Sequence, residues 1–452
     1  MPSNEDPNEA ERAPLRSRLV TRSPVPYAWV VLGTAMVTTL ATVPGQTVGV
    51  SVFLDPIIDD LEVRRSVVSG LYTLGTLTGS LALPFIGRFI DARGPRVAVG
   101  VIALAFAVAA AAMSQVTSLV GLAIGFVAIR GLGQGSLGLV SLHAVNLWFV
   151  RRRGLAVGIT GLGMAIATAF APALLERLIA GVGWRAGYAW LGAGVAMIAL
   201  PLGLTFFRER PERYGAQPDG VRTPPASADA PDAPDAPDAP DGAAALPREA
   251  AFTAREATRH PAFWTIAGAS MTVAALTTGL VFHHFDLVAG SGVDRRAAAA
   301  AFVPLGLAVG ASNLLAGAAF DRVAPRFLLA GMLVVQAGAL AMAAFLQPAW
   351  LLAYGVVIGL TQGTSGSVSG AIYATYFGRA HLGAIKGTAT TLTVAGTAIG
   401  PLLFALGRDL TGGYAPVLLA SMVVPLGFAL ASLTLRPPVE SGRSSLDGST
   451  KV

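Results

Sequence analysis

Between Val116 and Leu147 the chain carries one residue that is charged at neutral pH, Arg130, within the stretch AIRGLGQGSLG. A guanidinium at the centre of an apolar helix costs about 2.5–3.5 kcal/mol on insertion scales, so it must face a cavity or a partner. Three kinds of work suit it there. It can neutralise an anionic substrate head group, tune a proton site, or hold helices together by donating to backbone carbonyls. Gln134, four residues on, and Ser141 beyond it continue the same helical face as a polar stripe. The glycines at 131, 133, 135 and 138 allow neighbouring helices to approach closely. GLGQGS superficially suggests a dinucleotide loop, but no strand precedes it and no acidic ribose partner follows, which removes that chemistry.

A second polar stripe comprises Gln362, Ser365, Ser369, Tyr373 and Tyr376, spaced 3, 4, 4 and 3 and so on one helical face. It can offer hydrogen-bond donors to a cavity, although serines at such positions serve plain helix packing equally well. Thr390, Thr393 and Thr397 make a comparable face, with the same two readings, and Tyr72 and Asn313 are further polar candidates. In VFHHFD, His283 and His284 titrate in the physiological range and are candidates for proton coupling; the alternative is a pair of interfacial histidines at an outer mouth. Asp55 and Asp286 fall at the outer ends of apolar runs, and no carboxylate lies deep within one. There is no cysteine, hence no disulfide framework or thiolate metal site. No catalytic constellation, metal site or cofactor is expected, and the chain does not read as an enzyme.

These side chains need membrane helices to position them. The 452 residues are 53% hydrophobic and 13% charged, with a mean hydropathy of +0.62, too little charge to cover a soluble protein of this size. Apolar blocks place twelve spans at about 27–54, 66–90, 96–113, 117–148, 154–179, 185–207, 262–285, 296–320, 327–346, 349–377, 383–407 and 414–435. With an internal N-terminus, 24 of the 32 Lys and Arg fall in cytoplasmic segments and seven on the other side, Arg130 being the remaining one. Both termini are therefore expected in the cytoplasm and the protein in the cell (inner) membrane. The basic balance is a topology signal that needs no nucleic-acid partner. The polar first 26 residues precede a span too long for a signal-peptide core, so no cleavable leader is expected.

DAPDAPDAPDAPD, Asp229–Asp241, lies in a polar segment, 208–261, that reads as a disordered linker leaning to polyproline II. It separates an N-terminal six-helix bundle, 27–207, from a C-terminal one, 262–435, with cytoplasmic tails at 1–26 and 436–452. The two halves echo each other. GRFIDARGPR (Gly87–Arg96) realigns with GAAFDRVAPR (Gly317–Arg326) at an offset of 230, matching Gly, Asp, Pro and Arg. GLGQGSLG (131–138) realigns with GLTQGTSG (359–366), and GLAVG before Pro172 with GAIKG before Pro401. Halves repeated in the same orientation, with a site at their interface, are a transporter architecture. Ile358 stands opposite Arg130, so the scaffold is shared while the charge belongs to one half.

On these motifs the chain resembles the major facilitator superfamily. GRFIDARGPR is similar to that family's G-x-x-x-D-R-x-G-R-[RK] loop, with Gly87, Asp91, Gly94 and Arg96 matching and Ala92 and Pro95 departing. The resemblance implies a cytoplasmic gate built from Gly87, Asp91, Arg93, Gly94 and Arg96, with Asp321, Arg322 and Arg326 in the second half. Arg130 matches the arginine of the family's fourth-span motif, with Gln134 displaced by one residue. NLWFVRRRGLAVGI (146–159), YFGRAHLGAIKGTA (376–389), GWRAGYAWLG (183–192) and YAWVVLGTA (27–35) resemble the bacterial branch of monocarboxylate and oxalate/formate carriers. The deep span-8 cation of that branch is absent here, and Lys386 lies near the cytoplasmic end of span 11.

The expectation is an all-α polytopic membrane protein with twelve transmembrane helices in two pseudo-symmetric six-helix bundles. The resemblance implies a monomeric secondary transporter of a small organic anion, a monocarboxylate by class, with protons as a potential co-substrate, working by rocker-switch alternating access. Arg130, Gln134, Tyr72, Asn313, Gln362, Tyr373 and Tyr376 are the expected substrate contacts. The alternative is efflux of an amphipathic drug or metabolite by proton antiport, a reading that ATAFAPALLE weakens by placing alanines where such antiporters carry a glycine-dense stretch before GP.

Overall fold

A computed structural model describes residues 17–149, 152–220, 252–320, 322–378 and 382–436. The DAPDAP repeat and both tail ends lie outside them. Among the described residues the chain is helical throughout, with no strand. The first helices are α1 (Tyr27–Leu40), α2 (Thr47–Leu61), α3 (Arg65–Leu81), α4 (Leu83–Met113) and α5 (Leu119–Ile129). A π-helical segment, Arg130–Leu137, then leads into α6 (Gly138–Trp148), α7 (Arg153–Gly194) and α8 (Leu200–Phe206). After the linker come α9 (Pro261–Phe282), α10 (His284–Ala289), α11 (Arg295–Ala300), α12 (Phe302–Phe320) and α13 (Pro325–Ala344). The last are α14 (Leu351–Phe377), α15 (Leu382–Thr411), α16 (Ala415–Ser421) and α17 (Val423–Leu433).

Eight helical stretches are long and apolar enough to cross a membrane among the described residues. One of them, Leu155–Phe206, has 52 residues. At 1.5 Å per residue that is more than twice the roughly 30 Å hydrocarbon core, so it passes more than once. The reversal is at Gly183, whose φ of 78° no β-carbon-bearing residue adopts cheaply. Gly94, with φ 75° ahead of Pro95, turns α4 in the same way, compressing the GRFIDARGPR loop to one non-helical residue.

Two compact units emerge from the contacts. The first comprises the described residues of Met1–Val50, Thr78–Ala167 and Leu178–Pro237; the second those of Ser51–Leu77, Thr168–Arg177 and Asp238–Val452. In the first, α1 packs on α6 and α4 on α8, and the Tyr27 hydroxyl donates to the Phe206 carbonyl at 2.8 Å. In the second, α12 runs along α14 and α9 along α15. Glycine permits the first of these pairings: β-carbons at 359 and 363 would overlap the Leu305 and Val309 carbonyl oxygens. Leucines exposed around the outside, among them Leu314, Leu315 and Leu430, suit lipid contact.

Candidate functional site

The first span is broken. α1 ends at Leu40, Val43–Gly45 form a 3₁₀ turn carrying Pro44, and α2 restarts at Thr47. Past the break the Gly49 amide bonds to Gln46, so the Gly45 carbonyl is released from the helical ladder. Released carbonyls at membrane depth need another donor. Arg130 supplies it: its Nη1 donates to the Gly45 oxygen at 2.8 Å, and the residue is only 3% exposed. The approach is tight, because a β-carbon on Gly45 would overlap the Ile129 oxygen and lie 3.1 Å from the Gly133 Cα.

Arg130 also opens the π-helical segment, where the Ser136 hydroxyl donates to Gly131 O, five residues back, at 2.8 Å. Such wide turns interrupt regular helices frequently at functional sites. Gln134 is half-buried in this segment, its Oε1 enclosed without a donor. Ser141, one turn beyond it, shares a 2.7 Å hydroxyl–hydroxyl bond with Thr38 of α1. Two irregular backbones, one from each of two spans, thus meet around one buried cation. The sequence singled out Arg130 but not its partner, although Pro44-Gly45 in mid-span was the available signal.

The loop residues named from the sequence lie in the first unit at the α4 turn. Arg96 Nε donates to Leu204 O at 2.7 Å. Arg93, Gly94, His143, Arg210 and Arg213 line a cavity of about 430 Å³, with Glu209 paired to Arg213. Gly87 sits in α4 with open space around it, and the Asp91 side chain is outside the described set. In the second unit Arg322 is exposed and the Arg326 guanidinium lies over the Phe327 ring at 4.8 Å, whereas Asp321 lies outside the described residues.

The second stripe divides along its length. Gln362 is exposed, Ser369 bonds Ser270 at 3.2 Å, and Tyr373 and Tyr376 sit in an apolar cluster with Phe263, Ile372 and Phe377. Asn313 is exposed on α12, its side-chain oxygen accepting from the Ser367 hydroxyl at 2.5 Å. Tyr72 is fully buried against Phe282, with ring centroids 4.5 Å apart. His283 and His284 are buried too. Their Nε2 atoms lie 2.7 Å from Pro401 O and 2.9 Å from Ala298 O, so in both rings Nε2 carries the hydrogen. His284 stacks on Tyr354, with planes 4° apart, while His283 lies beside Tyr414 with centroids at 5.5 Å.

Sequence reasoning missed one arrangement in this unit. Glu176, Arg295, Asp55, Arg65, Asp286 and Arg408 form a continuous chain of alternating charge. Its links are 3.1, 2.6, 2.6, 3.2 and 3.0 Å in that order. The Tyr414 hydroxyl adds a 2.8 Å bond to Asp286. Burial alone would lower the Arg65 guanidinium, yet Tyr414, Asp55 and Asp286 hold it above its ordinary value. The partners stand up to 240 residues apart, so spacing gave no hint.

Long apolar helices reversing at glycines, a mid-span break met by a buried arginine, and an all-helical architecture define a multi-pass membrane protein of transporter architecture. The Major Facilitator Superfamily model matches residues 28–347, and the chain belongs to that superfamily. It is 28% identical over 178 residues to the "Oxalate:formate antiporter" of Oxalobacter formigenes, covering 38% of this chain and 41% of that one. It is 26% identical over 207 residues to human "Monocarboxylate transporter 6", covering 45% of this chain and 40% of that one. The matches thus span about two fifths of these relatives' length. Among solved structures, a bacterial homologue of the human lysosomal transporter Spinster superposes with a TM-score of 0.64 at 18% identity. That likeness covers 90% of this chain and 95% of the other and concerns the fold.

Proposed function

We propose that the chain is a secondary transporter of a small organic anion, a monocarboxylate by class, coupled to protons and working by alternating access. Both termini are cytoplasmic in this reading, and the membrane is the cell's inner membrane. The observation that carries it is the placement of Arg130. A buried guanidinium anchored on Gly45, where the interrupted first span meets the π-helical segment that also carries Gln134, gives this part of the first unit a fixed positive charge. Such a charge discriminates strongly in favour of an anion, because little water remains to screen it. The names of the two partial relatives, an oxalate:formate antiporter and a monocarboxylate transporter, favour the same substrate class.

Gln134, in the same π-helical segment as Arg130, is the candidate for a hydrogen bond to the substrate. Tyr72, Tyr373 and Tyr376 are buried and act through packing, Tyr72 on Phe282 and the other two in the apolar cluster around Phe263. Of the histidines, His283 is the stronger proton candidate, since Tyr414 connects its surroundings to Asp286. Proteoliposomes loaded against a panel of labelled carboxylates, with and without an imposed pH gradient, test the proposal. Saturable carboxylate uptake enhanced by the gradient supports it. Transport of a lipophilic cation with no carboxylate uptake or competition replaces it with drug efflux.

A further inference from the structure

We propose that the six-residue chain Glu176–Arg295–Asp55–Arg65–Asp286–Arg408 is a reversible lock that closes the outer end of the transport path, with Arg295 as its pivot. The inference rests on the alternating-access reading above and on its sidedness. Three acids and three arginines alternate, so the assembly is neutral and every link is attractive. Asp55, Arg65 and Glu176 precede the 208–261 linker in the chain, and the other three follow it. Three of the five links, Glu176–Arg295, Arg295–Asp55 and Arg65–Asp286, join one set to the other. A static helix-end cap needs no such crossing, whereas a device that opens when the halves part does.

Arg295 shows why it is the pivot. Nη1 bonds Asp55 at 2.6 Å, Nε bonds Glu176 at 3.1 Å, and Nη2 donates to the Val52 carbonyl at 2.9 Å. Its guanidinium also lies 4.8 Å over the Phe285 ring. One side chain from after the linker therefore holds three groups from before it. Reversibility follows from exposure: the Arg295 and Arg408 side chains are 34% and 39% exposed, so water can take over their bonds as they part. A cavity of about 440 Å³ lined by Asp286, Ser291, Arg408 and Tyr414 brings water to that end. Beneath the charges the seal continues: the Thr73 hydroxyl donates to Ala398 O at 2.6 Å, and Tyr72 packs on Phe282. Ser69, one turn below Arg65 on α3, is fully buried under the lock.

The chain contains no cysteine, so Ser69→Cys is a single reporter in an otherwise unreactive protein. Labelling by a membrane-impermeant maleimide is measured in right-side-out and inverted vesicles. With the lock intact, labelling from outside is slow. Adding Arg295→Gln raises the outside rate at least about 10-fold, the factor for a modest allosteric coupling energy. Glu176→Gln raises it less. Raising NaCl from about 0.1 to 1 M, which shortens the Debye length from about 10 to 3 Å, accelerates labelling with no second mutation and guards against misfolded variants. Outside rates unchanged by both substitutions and by salt overturn the lock. Acceleration confined to inverted vesicles overturns its outer placement. Labelling is read without any substrate, so failure of the carboxylate proposal alone leaves this result unchanged.

Discussion

Replacing Gly45 by alanine tests the Arg130 junction at its tightest point. The added methyl would overlap the Ile129 carbonyl oxygen and sit 3.1 Å from the Gly133 Cα. Both obstacles are backbone, which cannot rotate away as a side chain does. Restoring ordinary contact requires the two spans to part by roughly 1 Å, and overpacking of this kind costs about 1–3 kcal/mol. The same movement stretches the 2.8 Å Arg130–Gly45 bond beyond hydrogen-bonding range. Loss of a hydrogen bond to a charged group adds about 1.5–3 kcal/mol. Alanine recovers up to about 1 kcal/mol by restricting the unfolded chain. The net expectation is a loss of about 1.5–6 kcal/mol. Gly33→Ala is the control, being exposed on α1 with nothing within contact distance of a new β-carbon. It should gain about 0.5–1 kcal/mol. Melting of the purified variants in one detergent separates them, with Gly45→Ala below wild type and Gly33→Ala at or above it. Equal melting of the two variants refutes the close-packed junction.

Three further outcomes follow from the geometry. Gly363→Ala, whose methyl would overlap the Ser312 hydroxyl and the Val309 oxygen, lowers the melting temperature, whereas Gly387→Ala, in open space, does not. His283→Gln keeps a donor for the Pro401 carbonyl and removes the titrating ring, so it abolishes the gain in uptake from a pH gradient while gradient-free exchange persists. Retention of the gain by that variant removes His283 from coupling. His284→Gln, whose ring lies among Phe302 and Tyr354 and donates to Ala298, leaves the gain intact; its loss transfers the role to His284.

The all-helical membrane class was legible from the length of the apolar runs, and the glycines at 131, 133 and 135 were legible as points of close approach, whereas Gly138 meets nothing within contact distance. Arg130 was legible as well, since one charge in an apolar run demands a reason. Its partner was not, because a carbonyl becomes an acceptor only where a helix breaks, and the first span was taken as continuous through Pro44. The even 3-4-4-3 spacing of the Gln362–Tyr376 stripe described a helical face correctly but not what that face meets. Its neighbours change along α14, from exposure at Gln362 to the apolar cluster around Tyr373. The outer charges looked scattered because each link joins residues at least ten positions apart. Only the folded helices bring them into one line.

Uptake of a labelled monocarboxylate by proteoliposomes containing Arg130→Gln and Arg130→Lys, at matched amounts of folded protein, tests the central claim most directly. Removing one partner of a desolvated charge pair costs about 2–5 kcal/mol, or roughly 30-fold and upward in rate. The account predicts a loss of at least that size for Arg130→Gln, with partial recovery in Arg130→Lys, which keeps the charge. Wild-type uptake by Arg130→Gln would contradict it and leave Arg130 as a structural tie to Gly45.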